Sequence, residues 1–340
     1  MPYSLGIVGL PNAGKSTLFS ALSRQSVAIA PYPFTTIDPN RAVIAILDER
    51  LDKLAEILGI AKRTPATIEV IDIAGLVKGA HQGEGLGNQF LAHIRETDVI
   101  IVVLRNFVTK DIADSPQPKD DLSILETELI MKDLETAEKE VQRFEAMARS
   151  GEKTAQQALA VWKDMREAFG RGISAQQHVR GNISVVDYLK EVPLLSAKPM
   201  LIVLNGAKPS PRDIAASVLD AQTELDAQSL SPEELRELGF ISCAPDIIAA
   251  AKKLLSLITF FTAAGGNEIR SWLCKTGTTA VEAAAMVHSD FAEKFIKCDA
   301  LPWHQLVAAG GFTQAREKGL VETQGREYTV QDGDVLTFRI

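Results

Sequence analysis

The stretch Gly9-Leu10-Pro11-Asn12-Ala13-Gly14-Lys15-Ser16 decides how the rest of the chain is read. It satisfies the pattern GxxxxGK[ST] in full, and it stands where that pattern acquires structural meaning. Leu5–Val8 before it reads as a buried strand, and Ser16–Ser23 after it reads as a helix. Glycines let successive backbone N–H groups curl around phosphate oxygens, and the helix start adds its positive end. In such a loop Lys15 pairs with β and γ phosphates, and the Ser16 hydroxyl ligates Mg²⁺.

Working outward, Asp72-Ile73-Ala74-Gly75 follows the apolar run Ile68–Ile71 as a DxxG should. Asp72 is expected to hold Mg²⁺ through water, and the Gly75 N–H to sense the γ-phosphate. Gly79, Gly83, Gly85 and Gly87 come next, which fits a segment that orders on γ-phosphate and relaxes after hydrolysis. Between loop and DxxG lies Pro31-Tyr32-Pro33-Phe34-Thr35-Thr36-Ile37-Asp38-Pro39-Asn40, where a threonine such as Thr36 can supply a further Mg²⁺ ligand. Together the three elements imply a nucleoside triphosphatase.

The surrounding pattern agrees. Val43–Leu47, Ile68–Asp72 and Val99–Leu104 read as strands, Glu49–Leu58 as a helix, and the strand pattern resumes at Met200–Leu204 and Phe240–Ser242. Strands alternating with helices predict a mainly parallel, doubly wound α/β sheet. Between the halves the period changes. Leu122, Leu125, Leu129, Leu134, Ala137, Val141, Phe144 and Ala148 step by threes and fours, as do Ala155, Leu159, Trp162, Met165 and Phe169, with Ser150-Gly151 between them. This predicts an antiparallel helical hairpin. From about Ile258 a smaller α+β module is expected, with strands at Glu268–Cys274, Glu327–Thr329 and Val335–Ile340 around a helix at Ala280–His288.

Composition bounds the rest. The 340 residues are 46% hydrophobic and 24% charged, enough to bury a core and to exclude global disorder. No run approaches the ~18 apolar residues of a membrane span, and the N-terminal residues lack the pattern of a leader peptide. Cys243, Cys274 and Cys298 are widely spaced without a CxxC, which fits a reducing cytoplasm and supports neither a disulfide framework nor a zinc site. A net charge of −8 argues against non-specific DNA binding.

The blocks GLPNAGKSTLFSAL, PYPFTTIDPN and DIAGLVKGAHQGEGLGNQFLAHIRETD resemble the YchF family of Obg-related P-loop proteins, the Obg-like ATPases. The stretches TFFTAAGGNEIRSWLCKTGTTAVEAAAMVHSDFAEKFI and VQDGDVLTFRI resemble that family's C-terminal TGS module, a β-grasp fold. The resemblance implies a Ras-like G domain in two pieces, 1–120 and 196–257, a helical coiled-coil insertion at 121–195, and a TGS domain at 258–340. It implies a cytoplasmic hydrolase of ATP, possible also for GTP, that associates with the ribosome. Residue by residue, it places Asn12, Ala13, Gly14, Lys15, Ser16 and Thr17 on the phosphates, Ser16 and Thr36 on Mg²⁺, Phe107 against adenine, and Asn205 with Gly206 at the base. Ribosome or RNA contact through the helical arm and the TGS domain is the partner expected, with no membrane and no DNA specificity.

Several positions depart from the family pattern. Leu76 follows the DxxG where Ras-like proteins keep a water-orienting glutamine, so slow hydrolysis is expected. The family's NxxE reads Asn205-Gly206-Ala207-Lys208 here, and an ammonium cannot accept hydrogen bonds from guanine N1 and N2. No histidine lies between His93 and His178, where the family carries one, and His81 is the nearest alternative. The stretch from Asn205 to Cys243 is short for the family, and Ser242-Cys243-Ala244 is expected as the second base-contacting loop. A nucleotide-dependent binding module with negligible catalysis, and a GTP-preferring Obg-type enzyme, are the competing readings.

Overall fold

The computed structural model describes residues 3–27, 40–73, 86–108, 114–149, 152–179, 192–207, 214–264 and 266–340. In chain order the elements begin β1 (Tyr3–Val8), α1 (Lys15–Val27), β2 (Arg41–Ala45), α2 (Glu49–Leu58), β3 (Lys62–Thr64), β4 (Thr67–Asp72), α3 (Leu86–Glu96) and β5 (Val99–Arg105). They continue with α4 (Pro118–Ala148), α5 (Lys153–Gly170), α6 (Ala175–Val179), a 3₁₀ turn at Leu195–Ala197, β6 (Met200–Asn205), β7 (Ser217–Leu219), α7 (Ala221–Ala227), α8 (Pro232–Glu237) and α9 (Ala244–Leu254). The remainder is β8 (Leu257–Ala264), β9 (Glu268–Lys275), α10 (Ala280–Val287), α11 (Ser289–Glu293), β10 (Lys297–Pro302), α12 (Trp303–Ala309), α13 (Phe312–Glu317), β11 (Glu322–Gln324) and β12 (Asp334–Arg339). No helix among the described residues is long and apolar enough to cross a membrane.

The chain divides into two compact units, 3–42 with 69–247, and 43–68 with 248–340. In the first, the sheet runs β2-β4-β1-β5-β6-β7. β1, β5, β6 and β7 pair in parallel, with Ile7 opposite Ile101 and Leu204 opposite Val218. A central parallel strand has helices on both faces, so it is apolar throughout rather than alternating. β5, VIIVVLR, is buried from Val99 to Leu104 for this reason.

The arm's periodicity is realised by α4 and α5, although Ser150-Gly151 lie outside the described residues. Trp162, Met165 and Phe169 of α5 pack with Ile130, Ala137 and Val141 of α4. The first turns of α4 do something else: Leu125 and Leu129 join the core of the parallel sheet, with Leu91, Ile94 and Leu104. At the junction the fully buried Asp133 accepts from Leu195 N at 2.8 Å, Ser196 N at 2.7 Å and Ser196 Oγ at 2.6 Å. One carboxylate thus fastens the outgoing helix to the returning chain.

The second unit has a sheet in the order β11-β10-β12-β8-β9-β3. β8 and β9 form an antiparallel hairpin, β10 pairs antiparallel with β12, and β3 joins β9 in parallel. Residues 43–68, expected in the nucleotide domain, are part of this unit. The cause is the apolar face of α2. Leu51, Leu54 and Ala55 pack against Phe261, Ile269, Leu301 and Leu306, while Arg50 bridges Asp48 at 2.7 Å and Asp332 at 2.6 Å. The strand expected at Glu327–Thr329 shortens to a single antiparallel bridge between Thr329 and Thr279, preceded by a turn at 326–327. Asp334 Oδ2 accepts from Tyr328 Oη at 2.8 Å and Gln331 N at 2.9 Å, and β11 forms earlier, at Glu322–Gln324.

Candidate nucleotide-binding site

The phosphate loop joins the end of β1 to α1. Asn12 at φ 61° and Gly14 at φ 89° take the left-handed conformations that a chain wrapping around an anion requires. Gly14 also has no room for a side chain, because a Cβ there would stand 2.1 Å from Asn205 Nδ2. Lys15 Nζ donates to Leu10 O at 2.9 Å, which holds the ammonium across the mouth of its own loop. Burial pushes the Lys15 pKa below its ordinary value, opposed by the Asp72 carboxylate. The charge is therefore held ready for an anionic partner.

Ser16 and Asp72 come together from separate elements: Ser16 Oγ donates to Asp72 Oδ2 at 2.7 Å. The Asp72 N–H donates to Asn40 O at 2.9 Å, which joins the strand end to the residue following the threonine-rich segment. A hydroxyl and a carboxylate at the same point are hard oxygen donors. They match the small protein share of Mg²⁺ coordination, in which phosphates and water supply the rest. Thr36, Gly75, Leu76, His81 and Lys208 lie outside the described residues.

At the other end, Asn205 stands at the carboxyl end of β6, between β5 and β7. Its buried carboxamide donates from Nδ2 to Ala13 O at 2.9 Å and accepts from Ala221 N at 2.9 Å. Gly206, at φ 143°, donates its N–H to Leu219 O at 2.8 Å, and a Cβ there would stand 2.5 Å from Asn106 O. The half-buried Phe107 puts Cε1 at 3.9 Å from a Cβ position on Gly14, so an aromatic face borders the loop. Ala13 is buried, whereas Thr17 is half-buried at the start of α1.

The strand expected to lead into Ser242-Cys243-Ala244 does not form. Phe240–Ser242 is no strand, and Ile241 is 84% exposed. The sheet's last strand is β7, and Asp220-Ala221 follow it at the carboxyl end, where ligands of open α/β sheets bind. Asp220 caps α7 by accepting from Gln222 N at 3.1 Å and Thr223 N at 3.0 Å. The signal was present in the sequence as a short Ser217-Val218-Leu219 run followed by a capping aspartate.

A sheet in which β1, β5, β6 and β7 run parallel, with a phosphate loop after β1 and a strand-end aspartate on the loop's serine, defines the P-loop GTPase fold. Residues 4–144 match a family profile described as "50S ribosome-binding GTPase", and residues 257–340 match the C-terminal profile of the YchF GTPases, described as a protein of unknown function. The chain is 39% identical to the "Ribosome-binding ATPase YchF" of Bacillus subtilis (strain 168), covering 100% of this chain and 99% of that one. It is 38% identical to the protein of that name from Escherichia coli O157:H7, covering 99% of each. The solved structure of the Schizosaccharomyces pombe YchF GTPase superposes with a TM-score of 0.85 at 31% identity, covering 99% of this chain and 97% of that one. The chain belongs to the YchF family.

Proposed function

We propose that this protein is a cytoplasmic, Mg²⁺-dependent nucleoside triphosphatase that binds ATP, hydrolyses it slowly, and uses the bound state to regulate contact with the ribosome. The observation that carries the reading is the meeting of Ser16 Oγ and Asp72 Oδ2 at 2.7 Å beside Lys15. The names of the full-length relatives support it.

When ATP enters, the β and γ phosphates take the place of Leu10 O as the partner of Lys15 Nζ. N–H groups between Asn12 and Thr17 fold around the phosphate oxygens. Ser16, Thr36 and Asp72 are the residues that would hold Mg²⁺, which when bound neutralises charge on the β and γ oxygens. Lys15 and the loop N–H groups stabilise the charge that develops as water attacks the γ-phosphorus in line. The Gly75 N–H reads the γ-phosphate. Leu76 cannot hydrogen-bond the attacking water, and turnover is slow for that reason. Phe107 borders the adenine, and Asn205 with Gly206 fixes the base end. Calorimetry with ATP and GTP, with and without Mg²⁺, tests binding. Single-turnover hydrolysis with and without ribosomes tests catalysis.

Leu76 also favours a second reading, a nucleotide-dependent binding module with negligible turnover. No γ-phosphate release in the single-turnover assay under either condition would select it.

A further inference from the structure

Glu224 has no part in the phosphate chemistry, yet it is a carboxylate only 4% exposed. Both of its oxygens are engaged. Oε2 accepts from Ser242 Oγ at 2.7 Å and Oε1 accepts from Cys243 N at 2.6 Å. Ser242 Oγ in turn accepts from Ala244 N at 3.3 Å, so the carboxylate grips the start of α9. No Lys, Arg or His forms an ion pair with Glu224 among the described residues. A buried carboxylate held by neutral donors alone is a costly fastener, and its chemistry makes sense where register matters more than stability.

The helix that carries it touches the nucleotide site at its start and the phosphate-loop helix just past its end. At its start, Ala221 N donates to Asn205 Oδ1 at 2.9 Å, and the same carboxamide holds Ala13 O of the phosphate loop at 2.9 Å. Just past its end, Gln228 Nε2 donates to Ala21 O on α1 at 2.6 Å. α7 is therefore a strut between the base end of the site and the phosphate-loop helix. Glu224 fixes that strut to α9 one turn beyond Ala221, roughly 4.5 Å along the axis. If the grip is lost, α7 stays tied through Leu219 O at its start and Gln228 past its end, but its tilt between them is no longer fixed, and the Ala221 N–H can shift relative to Asn205. The carboxamide then loses one of the two partners that orient it. Lys15, Ser16 and Asp72 are held by other bonds and keep their places.

We infer that Glu224 is a positioning residue of the nucleotide site, acting through α7 to hold Asn205 and so to set how firmly the base end of a nucleotide is gripped. This rests on the reading of the site as an ATP site. The sequence gives no hint of it, because Ser242-Cys243 reads as a site element in its own right rather than as the anchor of one.

The test uses the full chain and two ligands, ATP and inorganic tripolyphosphate, the second having phosphates and no base. Glu224→Gln keeps the shape but removes the charge: its Oε1 can still accept from Cys243 N while Nε2 donates to Ser242 Oγ, so both ties survive only in a weaker, neutral form. The expected result is a loss of about tenfold in ATP affinity, about 1.4 kcal/mol, with tripolyphosphate affinity unchanged. Ser242→Ala removes the hydroxyl tie to Glu224 and the acceptor of Ala244 N but leaves the Cys243 N bond; it should move ATP affinity in the same direction by less, and it carries the test if Glu224→Gln does not fold. Equal losses for both ligands, or no loss for either, would overturn the inference, since a purely structural role predicts one of those. A parent protein that binds neither ATP nor GTP would instead overturn the nucleotide-site reading and the inference with it.

Discussion

Ser16 Oγ and Asp72 Oδ2 lie 56 residues apart in the chain and 2.7 Å apart in space. Each is the kind of oxygen that a magnesium ion would take, and here each satisfies the other. Among the described residues of the site, two protein donors from separate elements are thus brought to one point.

Lys15→Ala should abolish measurable ATP binding, a loss of at least about a hundredfold or ~2.7 kcal/mol. The fold should survive, because among the described residues this ammonium donates to one backbone carbonyl, Leu10 O. Calorimetry together with a thermal melt checks both halves.

Affinity for ATP should fall at alkaline pH. Burial sets the Lys15 pKa in the free protein below its ordinary value, which is about 10.4, and bound phosphates raise it. Between those two values binding takes up a proton, so affinity is full below the free-protein pKa and declines as pH rises through it. A series of ATP titrations from neutral to alkaline pH should show that decline, and Lys15→Arg should remove it.

Base selection should be weak and should lean to adenine. With Lys208 where the family has an acid, ATP should bind at least as tightly as GTP, and the two should differ by less than about a hundredfold. Competition titrations settle the order. A clear preference for GTP would mean that guanine is read by main-chain groups instead.

Asp133→Ala should destabilise the chain by about 3–5 kcal/mol, because Leu195 N, Ser196 N and the Ser196 hydroxyl all lose their acceptor in a buried place. Urea unfolding measures it. Trp162→Ala, deep between α4 and α5, should cost a similar ~3–5 kcal/mol without changing ATP affinity.

Ribosome contact, if it runs through the arm, should depend on Arg143, Arg149 and Lys153. Arg143 is exposed and is bonded to the partly buried Glu140 at 3.1 Å. Reversal of all three to glutamate should release the protein from sedimenting ribosomes at moderate salt. Unchanged sedimentation would move the contact elsewhere on the chain.

What could be read from the residues was whatever a local pattern encodes. The GxxxxGK[ST] loop, the unbroken apolar run of β5 and the stepping of Leu125, Ala137, Val141, Trp162 and Phe169 each carry their own periodicity. The placement of α2 was not readable, because Leu51, Leu54 and Ala55 announce an apolar face but not its partner. β3 and β7 are three residues each, too short to show alternation. Phe240-Ile241 misled for the opposite reason: a half-buried Phe240 beside an exposed Ile241 imitates a buried strand. At the site, the roles of Ala221 and Glu224 depend on backbone and carboxylate bonds across long separations, and no spacing rule reports those.

The membership of residues 43–68 in the second unit bears on how such a chain can be cut or recombined. A gene fragment beginning at Leu257 would keep most of the strands of that sheet but lack β3 and α2, leaving Phe261, Ile269, Leu301 and Leu306 without the helix that covers them. The C-terminal module is therefore not a cassette that can be passed intact to another protein by joining at one point. Its missing piece is encoded inside the nucleotide-binding half, between Asn40 and Asp72, and the two halves have to be inherited together.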